Sequence, residues 1–228
     1  MNITIIGTSH IAKQSINEVK KAISSGIYDI VAVELDTQRA TALLQEHKNK
    51  ISLAHINAIG FKGYIFAKVG QIVQQKLGKM VGVAPGADMK AALESAYKEK
   101  KEIALIDQPI QITLKNFSKR LTWKEKGRFV WEILLGIVRP KRQMKELGFE
   151  HLDLSKVPEK EFITKMINQI KNKFPSIHKT LIVDRNRYMV KSLIKLMRQH
   201  PDKNILAVVG AGHEEGMKEL LNRVDVVR

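Results

Sequence analysis

Two units built alike stand near opposite ends of this chain, each an apolar run, then Gly-x-x-His, then an amphipathic stretch. The first is Ile3-Thr4-Ile5-Ile6 followed by Gly7-Thr8-Ser9-His10. The second is Leu206-Ala207-Val208-Val209 followed by Gly210-Ala211-Gly212-His213. A short apolar run that feeds a helical pattern reads as a strand of a parallel sheet. In open α/β folds the carboxyl ends of such strands form the rim where ligands bind. Glycine lets the chain turn sharply out of the strand. His10 and His213 are therefore expected at matched positions, facing a cleft at the start of the following helix.

The pattern alone says little. With 14 Gly and 7 His in 228 residues, random placement gives about 0.4 occurrences of Gly-x-x-His. A third occurrence, Gly148-Phe149-Glu150-His151, follows a charged stretch and is set aside as accidental. The strand before and the helix after distinguish the other two.

The rest of the chain alternates in the same way. A strand over residues 2–6 is followed by a helix over 11–25, with Ile11, Ile16, Val19 and Ile23 at helical spacing. Ile30 to Val33 forms a second strand ending in Glu34-Leu35-Asp36, and Thr37 is the expected cap of a helix over 38–48. Residues 61–80 are helical in pieces, Ala84-Pro85-Gly86 is a turn, and 87–100 is a helix. Ile103 to Ile106 is a third strand, ending in Asp107-Gln108-Pro109. Residues 110–200 read as mostly helical, broken near Pro140, Pro158 and Pro175. Ile205 to Val209 is a fourth strand, 214–222 a helix, and Val224 to Val227 a short last strand that could pair across a homodimer. The predicted fold class is α/β, a small, mostly parallel sheet flanked by helices. A large helical insertion, about 110–200, separates the third and fourth strands within a single domain of 1–228.

The chain has no cysteine, which removes disulfides, thiolate metal sites and a cysteine nucleophile. That suits a reducing interior, and the expectation is a cytoplasmic protein or one on the cytoplasmic face of a membrane. No secretory signal precedes the first strand, and no apolar run reaches the roughly 18 residues of a spanning helix. The formal net charge is +16. About half of it falls in residues 115–145, where ten Lys and Arg face only Glu125 and Glu132. One reading is a solvated basic face. The sharper one is an anionic membrane surface, because Trp123, Phe129, Trp131, Ile133, Leu134, Leu135, Ile137 and Val138 lie among the charges. Nucleic acid is disfavoured, since the chain carries neither an aromatic-glycine RNA motif nor zinc-finger spacing.

The strand ends gather the chemistry: His10, Glu34 with Asp36, Asp107 and His213. Two imidazoles and one carboxylate can hold a divalent transition metal and leave positions open for water and substrate. Arg185, in Asp184-Arg185-Asn186-Arg187-Tyr188-Met189, can stabilise an oxyanion or bind a substrate carboxylate. Tyr188, three residues on, would share its helical face and could add a donor. Ser9 does not lie in a nucleophile elbow, and Gly82-Val83-Ala84-Pro85-Gly86-Ala87 holds no lysine for a phosphate loop.

These pieces, taken in order, resemble the TraB/PrgY family, related to Tiki, GumN and the EreA/ChaN-like fold. Gly7-Thr8-Ser9-His10 and Val33-Glu34-Leu35-Asp36 with Arg39 match it. Pro85-Gly86-Ala87-Asp88-Met89 is similar to its Pro-Gly-x-Glu-Met, with Asp88 for Glu. Leu105-Ile106-Asp107-Gln108-Pro109-Ile110 is similar to its Asp-Arg-Pro-Ile segment, with Gln108 for Arg. Asp184 to Met189 is similar to its Glu-Arg-Asp-x-Tyr-Met, with Asn186 for an acid that could partner Arg185. Val208 to His213 completes the set. The resemblance implies an EreA/ChaN-like α/β fold with two Gly-x-x-His histidines, a Glu and an Arg in one cleft. It implies a metal-dependent peptidase acting on a peptide or protein, with His10, His213 and Glu34 holding manganese, cobalt or zinc. Glu34 is then third ligand or general base, and Arg185, with Tyr188, the oxyanion stabiliser. Two alternatives come with it. One is a metal-free hydrolase in which a histidine acts as base on water. The other is a non-enzymatic protein that binds a ligand such as haem or docks on membranes.

Overall fold

Apolar runs that lack alternation need burial on both faces, and the sheet of this protein is covered on both. The computed structural model describes residues 2–8, 13–45, 86–138 and 160–225. Its strands are β1 (Ile3–Thr8), β2 (Ile30–Val33), β3 (Glu102–Leu105) and β4 (Ile205–Gly210). Helices α1 (Lys13–Ser24), α2 (Thr37–Leu44) and α3 (Ala87–Lys98) lie before β3. Between β3 and β4 come α4 (Ile110–Arg120), α5 (Trp123–Val138), α6 (Lys160–Lys173), α7 (Pro175–His178), a π-helical turn (Lys179–Val183) and α8 (Asp184–Gln199). Helix α9 (Ala211–Asp225) follows β4 without an intervening loop.

The four strands are all parallel, in the order β1-β4-β2-β3. Ile3 pairs with Ile205 and Ile30 with the same Ile205, so β4 lies between the two N-terminal strands. Its six residues are all buried. Successive side chains alternate between the sheet faces. Ile205, Ala207 and Val209 pack on Met189, Leu193, Met217 and Leu221 of α8 and α9. Leu206 and Val208 pack on Val19, Ile23, Met89, Ala92 and Leu93 of α1 and α3. Helix α9 thus leaves β4 onto one face, while α1 and α3, which follow β1 and β2, cover the other. Ligands bind at such a switch of direction in α/β sheets.

Several local expectations need correction. Asp36, not Thr37, caps α2: its Oδ1 accepts from the Arg39 amide at 2.9 Å, and Thr37 is already helical. The third strand runs one residue earlier, over Glu102–Leu105. The last helix takes in Ala211, Gly212 and His213, and also Val224 and Asp225, which were expected to open a fifth strand. Met217, Leu221 and Val224 recur at helical spacing, and a short apolar run cannot by itself separate helix from strand. Pro175 opens α7 as expected of a proline at a helix start. His10, the stretch 61–80, Pro140 and Pro158 lie outside the described residues.

Candidate active site at the carboxyl rim

Glu34 is the first residue beyond β2, and its amide continues the ladder by donating to the Val208 carbonyl at 3.0 Å. That pairing fixes the backbone and turns the side chain over the end of β4. The carboxylate is 2% exposed, and its Oε2 accepts from the Gly210 amide at 2.6 Å. Oε1 accepts from Arg185 Nη2 and lies 3.4 Å from His213 Nε2.

Arg185, in the first turn of α8, is the hub. Its Nε donates to Asp107 Oδ1 at 3.1 Å and its Nη2 to Asp107 Oδ2 at 2.7 Å, a bidentate pair. Burial alone would pull the guanidinium pKa down. The charge of Glu34 and the bonds and charge of Asp107 more than reverse this, so Arg185 holds its proton even more firmly than usual. Asp107 Oδ2 also accepts from Arg39 Nη1 at 2.8 Å. Two carboxylates and two guanidiniums therefore balance. The π-helical turn just before α8 contributes too, because the Leu181 carbonyl accepts from Arg185 Nη1 at 3.4 Å.

The hydrogen bonds define the tautomer of His213. Arg185 Nη1 lies 3.0 Å from His213 Nε2, and a guanidinium can only donate, so Nε2 accepts. Nδ1 then carries the proton and donates to Asn186 Oδ1 at 2.6 Å. Asn186 is thus the partner of His213, whereas its position in the sequence suggested a lost partner of Arg185. Asp107 takes that second role. Asn186 reaches the ring past Gly216, where an added Cβ would lie 2.5 Å from the Asn186 amide nitrogen.

Gly7 works differently from expectation. It lies within β1, and positive φ among the described glycines occurs at Gly26 and Gly86 only. A Cβ on Gly7 would run into the Glu214 carboxylate and stand 3.0 Å from Ala211 Cα. The glycine of the first motif therefore admits the start of α9, which belongs to the second. Next to it, Thr8 Oγ1 donates to the buried Asp88 at 2.5 Å, linking the end of β1 to the first turn of α3. Gln108, where the resemblance has Arg, is buried and donates to Thr113 Oγ1 at 2.9 Å.

Tyr188 is 40% exposed. It lines a shallow pocket of about 320 Å³ with Asp36, Leu105, Asp107, Pro109 and Gln111. The rim therefore joins a buried charge cluster to an open depression.

The donor set suits a cation. A carboxylate oxygen and an unprotonated imidazole nitrogen converge at 3.4 Å, and two ligands bound tetrahedrally at about 2.1 Å from zinc lie about 3.4 Å apart. In this arrangement the Arg185 guanidinium rests against both atoms. Among the described residues no group of three or more His, Asp or Glu side chains has metal-holding geometry. Glu34 and His213 offer two donor atoms, and His10 lies outside the described residues.

Comparison with known proteins finds relatives along almost the whole chain. An uncharacterized protein of Methanocaldococcus jannaschii, MJ1365, is 37% identical over 227 residues, covering 98% of this chain and 54% of the relative. The TraB domain-containing proteins of Homo sapiens and Bos taurus are 23% and 24% identical, each over 95% of this chain and 62% of the relative. The chain thus spans little more than half the length of the relatives it matches. The pattern of the TraB/PrgY/gumN family matches residues 1–225, both Gly-x-x-His units included, and the chain belongs to that family.

Proposed function

We propose that the carboxyl rim is a hydrolytic site for an amide bond of a peptide or protein, working with a divalent transition metal. The observation behind this reading is that Glu34 Oε1 and His213 Nε2 lie 3.4 Å apart, a spacing that two ligands of one ion would have, at the place where the Arg185 guanidinium rests. His213, Glu34 and His10 would hold manganese, cobalt or zinc. Such an ion, when bound, lowers the pKa of a water and polarises a carbonyl. The chain's own residues do the rest. Asn186 keeps the Nε2 lone pair of His213 directed into the site. Glu34 serves as third ligand or accepts the proton of the attacking water. Arg185, held by Asp107, offers positive charge to the developing oxyanion, and Tyr188 at the pocket wall adds a donor.

Metal content of protein purified without an affinity tag tests this, beside the His10→Ala/His213→Ala double variant checked for retained helicity. Near-stoichiometric transition metal in the wild type, lost in the variant, supports the site and leads to a peptide-library screen. No metal, and none taken up on titration, sinks it.

One observation favours a second reading, a metal-free hydrolase. The Arg185 guanidinium already neutralises Glu34, and His213 keeps an unprotonated nitrogen that could act as base on water. Cleavage that persists in strong chelator selects this alternative.

A further inference from the structure

Helix α5 turns two sides to very different surroundings. Its inner side is fastened to the helices that follow. Glu125 Oε1 accepts from the Ser176 amide at 2.7 Å, and Lys173 Nζ donates to Glu132 Oε1 at 2.7 Å. Its outer side carries Trp123, 83% exposed, and Trp131, 61% exposed. Gly127 lies between them at i+4, and a Cβ there would meet nothing within 4 Å. Positions 123, 127 and 131 fall within about 80° of one another around a helix. Lys124 and Arg128 are exposed on the flank of the same face, where Arg128 also donates through Nη1 to the Lys173 carbonyl at 2.9 Å. Lys126 lies over the Trp123 ring, its ammonium 3.5 Å from the centroid.

We propose that this face docks the protein on an anionic lipid surface, with Trp123 and Trp131 entering the headgroup region and Lys124, Lys126 and Arg128 pairing with acidic headgroups. Two independent features point to lipid. The first is charge complementarity: residues 115–145 hold ten basic and two acidic side chains within a chain of net charge +16. The second is aromatic chemistry, since indole rings beside Lys and Arg favour the membrane–water interface. No described helix is long and apolar enough to cross a membrane. The inference is independent of the reaction at the rim.

The chain supplies its own probe. It has two tryptophans in all, and both lie on this face, so selectively excited tryptophan fluorescence reports on α5. Vesicles of phosphatidylcholine with phosphatidylglycerol should shift the emission to the blue and carry the protein upward in flotation. Pure phosphatidylcholine should do neither. Each basic residue near an anionic surface contributes about fivefold in binding, so Lys124→Ala/Arg128→Ala should weaken it at least about 25-fold. High salt should release the protein. Gly127→Leu, which meets open space, should tighten binding, and Trp131→Ser should weaken it with the fold unchanged by circular dichroism. Binding that ignores the Trp131 and Gly127 changes would overturn the proposal in favour of unspecific charge adhesion. So would absence of binding, a preference of the same face for duplex DNA, or a blue shift that appears with protein concentration alone, which marks a second copy as the occupant.

Discussion

Arg185 carries the largest single-residue consequence, because it is the common partner of two buried carboxylates. Replacing it with Met takes the guanidinium away from both Glu34 and Asp107, leaving Arg39 on Asp107. Breaking a buried pair in this way costs about 3–5 kcal/mol. Arg185→Met should therefore lower the urea midpoint of unfolding substantially. Arg185→Lys should fall between the two, since an ammonium keeps the charge but cannot serve Asp107 bidentately. Asn186 and Gly216 make a subtler pair. Gly216→Ala should push the Asn186 amide off the ring. The His213 Nδ1 proton, expected by NMR in the wild type as a hydrogen-bonded resonance, should then exchange faster; an unchanged resonance would contradict the assigned tautomer. Glu34, Arg185 and His213 were legible in the sequence because each sits at a strand end or in an ordered motif. The role of Asn186 was not, because its bond to His213 joins residues 27 apart and depends on how α8 crosses α9. The same holds for Asp107, whose partner lies 78 residues away.

At the scale of elements, local chemistry explains most boundaries. Helix α5 opens on a capping box. Thr122 Oγ1 accepts from the Glu125 amide at 3.2 Å, and Glu125 Oε2 accepts from the Thr122 amide at 3.1 Å. Thr122→Ala should cost about 1 kcal/mol, read from chemical unfolding. Burial would raise the Glu125 pKa, but the bonds from Ser176 and Thr122 outweigh it and hold the carboxyl below its ordinary 4.5. A carboxyl lowered on folding contributes its full stability above 4.5 and loses it as pH falls through the lower folded value. The stability difference between wild type and Glu125→Gln should therefore shrink on acidification below 4.5. A difference that grows would reverse the assignment. Strand β1 yields another test. Gly7→Ala should cost about 1–3 kcal/mol by overpacking against α9, whereas an ordinary exposed strand glycine would gain from the change. The strands and most helices could be read from apolar runs and spacing, as could the proline break at Pro175. The start of α9 could not. Ala211-Gly212 looks like loop composition, yet it is helical and Ala211 lies close against Gly7.

For the whole molecule, the informative property is the strand order, which no local pattern encodes. β4 feeds both cores, with Ile205, Ala207 and Val209 on one face and Leu206 and Val208 on the other. Leu193→Ala and Leu206→Ala, on opposite faces, should each cost about 2–5 kcal/mol. Both should shift one common unfolding transition, and two separable transitions would argue against a sheet shared in this way. The order also bears on how the protein is made. Among the described strands, β1 pairs with β4 alone, and β4 is the last of them to be synthesised. While the ribosome is still adding the helices of the middle, β2 and β3 can pair, but β1 has no neighbour among the described strands already made. Glu34 at that stage lacks both the Gly210 amide and His213. Nascent chains thus carry no assembled rim until β4 emerges and slides into the gap between β1 and β2.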